Sequence, residues 1–228
     1  MSVPPMADWH GVKPPGRKVL EGRYARLEPL DAERHGNDLF TSAICPNAAE
    51  RFRYLFDHPP ANLGAMMHWA ARAEASDDPL FFAVVNCATG RAEGRQALMR
   101  IDTVHGVIEI GNILWGPAIA RTRVATEALF LIAEYVFEEL GYRRLEWKCD
   151  DRNDASKRAA SRFGFRYEGF FRKHMVVKGC NRDTAWFAMT DTDWLRLAAG
   201  YRAWLDPANF GPDGRQLSTL GRLAPDGM

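Results

Sequence analysis

The chain has 228 residues, of which 46% are hydrophobic and 26% are charged, and 30 Lys and Arg against 29 Asp and Glu give a formal net charge of +1. The apolar fraction excludes a disordered chain, and no apolar run approaches the ~18 residues that a membrane span needs. The near-neutral charge gives no electrostatic reason to expect a nucleic-acid or membrane partner.

The chain carries four scattered cysteines, and no pair has the C-x-x-C spacing of a zinc site or a redox motif. The histidines show no metal-ligand spacing either. The N-terminal segment lacks the apolar core of a signal peptide. We therefore expect reduced thiols, no metal site and a cytoplasmic location.

The first half of the chain is typical of an arm followed by strands and two helices. Prolines and glycines predict an extended arm over residues 1–21. A strand is predicted at 24–29, and Asp31 and Asn62 are candidate N-caps for two helices. Three further β-rich runs cover residues 80–85, 95–103 and 107–115. A turn at residues 105–106 joins the second run to the third.

The second half contains the strongest helix signal. From residue 123 to 140 apolar residues recur on one helical face, and Gly141 is well placed to end the helix. Residues 144–150 alternate strictly between apolar and charged, which predicts a strand. The remaining predicted elements are a helix at 155–163, strands at 165–177 and 184–189, and a helix at 192–204.

This order predicts a single mixed α+β domain over residues 22–192. A C-terminal helix and an extended tail rich in Pro, Gly and Asp are expected over residues 193–228. The tail would lie over the protein's own surface or over a partner. If the partner is a second copy of the chain, the protein is a homodimer.

Between Trp115 and the strong helix lies a loop with a Gly-Pro break and two arginines, Arg121 and Arg123. A helix N-terminus offers unpaired N–H groups and a positive dipole, which stabilise an anion such as phosphate. The alternative is a solvated surface turn. Because cations at this end oppose the helix dipole, the two arginines favour an anion site.

A second candidate site follows the alternating strand. Asn153 could hold an amide-bearing ligand, and Ser156 could donate a proton from the first helical turn. The alternative for both is an ordinary role as turn and cap residues. Neither signal is specific by itself.

Together these segments resemble the GCN5-related N-acetyltransferase (GNAT) superfamily, and more closely its branch of ribosomal-protein N-terminal acetyltransferases. The resemblance covers roughly residues 20–192. The segments that carry it, in this order and spacing, are Ile108-Glu109-Ile110-Gly111, Trp115-Gly116, Ala125-Thr126-Glu127-Ala128, Asn153 with Ser156, and Phe163-Gly164-Phe165 before Glu168-Gly169.

The resemblance implies a strongly bent mixed β-sheet flanked by helices, with acetyl-CoA as cosubstrate in a cleft between two splayed central strands. It also implies transfer of an acetyl group to a primary amine, either of a protein or peptide N-terminus or of a small molecule. Pantetheine would pair with backbone groups of one strand, and pyrophosphate would lie on the loop before the strong helix. The cofactor-binding residues so implied are Ile113, Leu114, Trp115, Ala120, Arg121, Thr122, Arg123, Val124, Ala125, Thr126, Asn153 and Ser156.

The chain departs from the family pattern in two ways. Its loop lacks the family's glycines, so Arg121 and Arg123 must either point outward or contact the phosphates themselves. Ala160 stands where many relatives carry a tyrosine as general acid, which makes Ser156 the better candidate for that role. The missing glycines also motivate a second hypothesis, a CoA-binding or interaction module without chemistry.

The reaction needs a neutral amine, N–H donors for the oxyanion, and a thiolate that is protonated or stabilised. Glu109 flanks the expected cleft and is the candidate base, acting through water, with a half-exposed strand carboxylate as the alternative. Arg53 and Tyr54 are candidates for the acceptor pocket, with helix packing as their alternative. His174 is at most a polar lining residue.

Overall fold

A computed structural model describes residues 6–223. The first five residues of the expected arm and the last five of the expected tail lie outside the described residues. The strands are β1 Leu20–Glu21, β2 Ala25–Pro29, β3 Leu80–Asn86, β4 Arg91–Asp102, β5 Val107–Trp115, β6 Arg144–Asp150, β7 Arg166–Val177 and β8 Cys180–Thr190. The helices are α1 Ala32–Ala43, α2 Ala48–Arg51, α3 Leu63–Glu74, α4 Arg123–Glu134, α5 Asp154–Arg162, α6 Asp191–Leu205 and α7 Leu220–Leu223.

All eight strands belong to one sheet in the order β1-β2-β3-β4-β5-β6-β8-β7. Every neighbouring pair is antiparallel except β5 and β6, which are parallel. The expected mixed α+β sheet is therefore confirmed. The parallel pair follows from the helical crossover through α4, since two parallel neighbours cannot be joined by a tight hairpin.

Two hydrophobic cores lie on opposite faces of this sheet. Alternating residues of β3 divide between them: Phe82 belongs to the core under α4, and Phe81 to the core under α1 and α3. The predicted N-caps of α1 and α3 are confirmed, because the Asp31 and Asn62 side chains accept from backbone N–H groups in the first turns, at 2.8 and 2.9 Å. The described residues contain no helix that is long and apolar enough to cross a membrane.

Helix α4 is buried on more sides than its apolar stripe predicted. Its residues 124–133 are all buried, including Thr126 and Glu127, which the periodicity placed away from the apolar face. The second side is covered by α6, where Trp194 packs against Phe130 and Phe137 at 5.7 and 5.8 Å between ring centroids. The last turn of the predicted helix, Tyr135–Glu139, is a π-helix, and Gly141 follows with φ of 74°.

Both chain ends pack more closely than expected. The expected arm includes β1, which pairs with β2, and Val12 N–H donates to the Thr103 carbonyl at 2.9 Å. The expectation of an extended tail is wrong for the described part, because residues 207–223 form a 3₁₀ turn, a bridge between Phe210 and Gln216, and α7. The buried Leu220 side chain anchors this tail on the protein's own core.

Glu127 ties the first turn of α4 to the start of β2. The carboxylate is 5% exposed and accepts backbone N–H groups from Arg23, Tyr24 and Ala25, at 3.0, 2.5 and 2.6 Å. No basic side chain of the described residues forms an ion pair with it within 4.0 Å. The charge is thus solvated by backbone dipoles, and each partner loses its hydrogen bond if the carboxylate is removed.

We predict that Glu127→Ala lowers the free energy of unfolding by about 3 kcal/mol or more, because it leaves three N–H groups without an acceptor. Urea denaturation of the variant measures the change. The control is Glu139→Ala, whose carboxylate is about half exposed and pairs with Lys18 at the surface, so that its loss costs less than about 1 kcal/mol. Equal losses in the two variants would contradict this role of Glu127.

Candidate active site

A cleft opens where β5 and β6 part. The two strands pair over three residues only, from Val107 opposite Arg144 to Glu109 opposite Glu146. The β4–β5 register then shifts, and Asn112 has a left-handed φ of 51°. A bulge of this kind bends its strand and ends its pairing. The edge of β5 beyond Glu109 is therefore free of β6.

A cavity of about 120 Å³ occupies this opening. It brings together four of the predicted site residues, since Glu109, Ile113, Asn153 and Ser156 all line it. Leu114 faces a different cavity, under α3, and the 120–126 loop lies beyond the cleft. The carbonyl of Trp115, at the end of the free edge, accepts a hydrogen bond from the Arg51 guanidinium.

In the segment 120–126, at the start of α4, three of the seven backbone N–H groups have no acceptor within the described residues. Those of Ala120, Thr122, Val124 and Thr126 donate within the loop and first turn, and the Thr122 side chain caps the helix. Those of Arg121, Arg123 and Ala125 donate to no acceptor within residues 6–223. The pyrophosphate site over residues 120–126 stays a prediction, and these three N–H groups are the donors that it could use.

The two loop arginines adopt different positions. Arg121 is exposed and has a φ of 64°, the backbone conformation that glycine adopts without strain. The Arg123 guanidinium lies against the rings of Tyr24 and Phe210, 4.4 and 5.2 Å from their centroids. Neither arginine forms an ion pair within 4.0 Å in the described part of the chain. Both charges are therefore available to an anion at this helix end.

Asn153 and Ser156 are cap residues and also face the cavity. Asn153 caps α5 by accepting from Ser156 N–H at 3.1 Å through its side-chain oxygen, which leaves the amide NH₂ free. The Ser156 hydroxyl oxygen accepts from the Trp147 indole at 2.9 Å. That contact occupies a lone pair, so the hydroxyl proton can be donated to another group, and the neighbouring Cys149 sulfur is one acceptor within reach. Both roles weighed from the sequence are therefore compatible with this geometry.

A buried thiol stands beside the Ser156 hydroxyl. Burial raises the pKa of Cys149, and the hydrogen bond from Ser156 lowers it by less. Cys149 is thus a neutral thiol at physiological pH. The sequence predicts only that Cys149 is one of four reduced cysteines, and none of the four forms a disulfide in the structure.

Charged side chains cover the sheet face beneath the cavity. One oxygen of Glu109, Oε2, accepts from Arg100 at 2.7 Å and from Lys148 at 3.0 Å. Lys148 also contacts Glu146 at 2.6 Å and lies 3.8 Å from the centroid of the Trp186 ring. Glu109 is 3% exposed rather than half exposed. Its second oxygen, Oε1, has no hydrogen-bond partner among the described side chains and remains free as an acceptor.

Arg182 is a site residue that the sequence did not indicate. It is 7% exposed and lines the cavity from β8. Its Nε donates to the Thr184 hydroxyl at 3.1 Å, and that hydroxyl lies 3.0 Å from Nδ1 of His174. Burial first, and then the charges of Arg182, Arg100 and Lys148, lower the pKa of His174. The imidazole is therefore neutral at pH 7 and can accept the Thr184 proton.

The segment between α2 and α3 covers one side of the cavity. Tyr54 and Phe56 line the cavity, and the Tyr54 hydroxyl donates to the Arg152 carbonyl at 3.1 Å. Arg53 is exposed and does not line it; its guanidinium lies 5.3 Å from the centroid of the Tyr54 ring. Of the two residues proposed for this wall, the structure brings only Tyr54 to the cavity. Within residues 6–223, no cluster of three His, Cys, Asp or Glu side chains could hold a metal ion.

Comparison with known proteins identifies the class. The family model described as "Acetyltransferase (GNAT) domain" matches residues 25–166. A GCN5-related N-acetyltransferase from Brucella melitensis has 54% sequence identity and a TM-score of 0.95, over 96% of this chain and 100% of that one. A probable GNAT acetyltransferase from Chromobacterium violaceum has 40% identity and a TM-score of 0.78, over 85% and 96% of the two chains.

The probable N-acetyltransferase YjcK of Bacillus subtilis is 29% identical over 120 residues, which cover 51% of this chain and 65% of that protein. The chain therefore belongs to the GNAT acetyltransferases, enzymes whose general reaction is transfer of an acetyl group from acetyl-CoA to an amine. The GNAT family, its fold and acetyl-CoA as its cosubstrate, all predicted from the sequence, are confirmed. The assignment of individual residues to catalysis stays a prediction.

We predict that His174 titrates with an apparent pKa below the ordinary value of about 6.5, and that Arg182→Gln moves that pKa upward by removing a nearby cation. An NMR titration of the histidine ring signals measures both values. The control is Arg172→Gln, an exposed β7 residue that is not among the causes of the shift. A His174 pKa at or above 6.5 in the unmodified protein would contradict the described packing.

Proposed function

We propose that this chain transfers an acetyl group from acetyl-CoA to a primary amine in the cleft between β5 and β6. The observation that carries the proposal is that Glu109, Asn153 and Ser156 meet around one cavity at the free edge of β5. Two elements that are separated in sequence, β5 and the start of α5, supply the groups that the reaction needs. The fold alone would not require them to meet.

The residues present fit acetyl-CoA at three places. The unpaired edge of β5, including Ile113, offers backbone partners to an amide-bearing arm such as pantetheine. The free amide of Asn153 faces the same path. The N–H groups of Arg121, Arg123 and Ala125, at the positive end of the α4 dipole, suit a pyrophosphate. Bound there, acetyl-CoA supplies the activated thioester.

Two side chains would move the protons. The Ser156 hydroxyl, with its oxygen held by Trp147, would donate to the departing thiolate. Glu109 Oε1 would accept the proton of the attacking amine through a water molecule, while Oε2 stays bound to Arg100 and Lys148. The two ion pairs fix the carboxylate in place, and the free oxygen takes up the proton.

The acceptor in this proposal is a peptide N-terminus or a small amine, and nucleic acid is not among the expected partners. The resemblance to the ribosomal-protein branch favours a peptide, and a homodimer is a further proposal that sizing chromatography tests. A reducing compartment such as the cytoplasm agrees with the four unpaired cysteines. The competing hypothesis is a CoA-binding module without turnover.

Two measurements separate these hypotheses. Acetyl-CoA at about 100 times its dissociation constant adds ~2.7 kcal/mol of stability, which raises the melting temperature by roughly 5–10 °C for a chain of this length. Release of free CoA thiol in a screen of peptides and small amines reports turnover. A thermal shift without any turnover supports the binding module, and no shift overturns both hypotheses.

We predict that Ser156→Ala lowers kcat by roughly 10²-fold or more, because general acid catalysis contributes at least that much. Acetyl-CoA affinity, measured by calorimetry, should change by only a few-fold. The control is Ser161→Ala, an exposed serine on the same helix that does not line the cavity. If both variants turn over like the unmodified enzyme, Ser156 is not the proton donor.

We predict that Glu109→Gln lowers kcat/KM by roughly 10²-fold, because the amide cannot take up the amine proton. The matched control is Glu146→Gln. Glu146 is also buried and also paired with Lys148, but it does not line the cavity. A loss of the same size in both variants would assign Glu109 to the ion-pair network and remove it from proton transfer.

A further inference from the structure

Arg182 is a buried cation without a counter-ion. The residue is 93% shielded from solvent, since its exposed fraction is 7%, and only its Nε has a hydrogen-bond acceptor, the Thr184 hydroxyl. Its Nη1 and Nη2 donate to no group within residues 6–223, and no carboxylate there lies within 4.0 Å of them. Neither nitrogen is sealed inside the protein. Because Arg182 lines the cavity, these two donors open into it.

The acidic side chains around the cavity are already neutralised by other cations. Asp150 is bound by Arg152, at 3.0 and 2.8 Å to its two oxygens. Glu109 is bound by Arg100 and Lys148. Four cationic and two acidic side chains line the cavity: Arg51, Arg100, Lys148 and Arg182, with Glu109 and Asp150. The cavity thus carries a positive surplus. Within the described residues neither Arg51 nor Arg182 has a carboxylate partner, and Arg182 is the more deeply buried of the two.

An unpaired guanidinium at this depth costs free energy unless an anion reaches it. The Thr184 contact holds Nε in place, and the Arg182 guanidinium also lies 5.5 Å from the centroid of the Phe56 ring. The free pair of donors is therefore held in the fork geometry that a carboxylate accepts through two parallel hydrogen bonds. One guanidinium matches the single charge of a carboxylate better than the nearly double charge of a phosphate.

The position of Arg182 relative to the reacting groups points to the acceptor. Thr184 stands opposite Asp150 in the sheet, so Arg182 lies just past the carboxyl end of β6, on the β8 side of the cavity. Glu109 lies across the cavity on β5, and Ser156 lines it from α5. A group held by Arg182 would therefore flank an amine presented to Glu109.

We propose that the acceptor carries a carboxylate close to its reactive amine, and that Arg182 binds this carboxylate through Nη1 and Nη2. The inference rests on the proposed function, because it names the acceptor class of the same site. The carboxylate could be the main-chain group of a free amino acid or an acidic side chain near a peptide N-terminus. The chemistry at Arg182 is the same in both.

The test compares acceptors that differ only in this group. Free amino acids are set against their amides, and peptides with Asp or Glu at the second position against the same peptides with Asn or Gln. We expect the carboxylate form to have a kcat/KM roughly 10- to 100-fold higher in at least one of the two sets, which identifies the source. Arg182→Gln should reduce that ratio to about one, and Arg182→Lys should restore part of it.

Binding of products gives a readout that does not depend on turnover. With CoA present, calorimetry compares each N-acetylated amino acid or peptide with its amide counterpart. Arg172→Gln serves as control, because Arg172 is exposed on β7 and does not line the cavity.

Equal rates or affinities for the carboxylate and amide forms overturn the inference, and turnover of neutral amines would then leave the proposed function intact. Preferential binding of the carboxylate form without turnover supports the inference and overturns the proposed function. An unchanged preference in Arg182→Gln, with circular dichroism showing a folded variant, also overturns the inference.

Discussion

The short parallel pairing of β5 and β6 is the constraint on which the rest of the site depends. It ends with Glu109 directly opposite Glu146, and like charges at such positions repel. Lys148 contacts both carboxylates and removes the repulsion. The strands are thus held together at one end by a shared cation and diverge at the other. The divergence creates the free edge, the cavity and the space in which α5 can place Ser156.

The same network explains why the cavity is polar although the sheet around it is buried. Each carboxylate beneath the cavity is bound by at least one cation, so its charge is compensated without water. Such pairs hold their members in fixed positions, because breaking one leaves a buried charge exposed to low dielectric. A site with fixed charges can orient a small substrate without reorganising, which is the condition for electrostatic catalysis.

Local signals in the sequence were sufficient for the long elements. The periodicity of α4 and the alternation of β6 predicted both, because each pattern is complete within one segment. The two-residue β1 and the four-residue α2 are too short to show a period. The burial of Glu127 could not be predicted either, since it depends on the start of β2, which lies about 100 residues earlier in the chain.

In the candidate site, too, some residues could be predicted from the sequence and others could not. Asn153 and Ser156 were found because order and spacing along the chain carry the family resemblance. Arg182 was missed because β8 begins at Cys180, four residues before the predicted start, so the arginine falls between the two predicted strands. The available signal was the spacing of Arg182, Thr184 and Trp186, which lie two residues apart and therefore share one face of a strand. Its lack of a counter-ion depends on the register of β6 and β8, which only the folded sheet defines.

The contact of Phe210 with Arg123 and Tyr24 has a consequence for the order in which the protein is made. It joins a residue near the beginning of the described chain to one near its end, at the mouth of the loop before α4. During synthesis, the sheet and α4 can assemble before Phe210 has left the ribosome. The contacts of Arg123 with Phe210 form only afterwards, so the loop before α4, where we propose that pyrophosphate binds, is completed last.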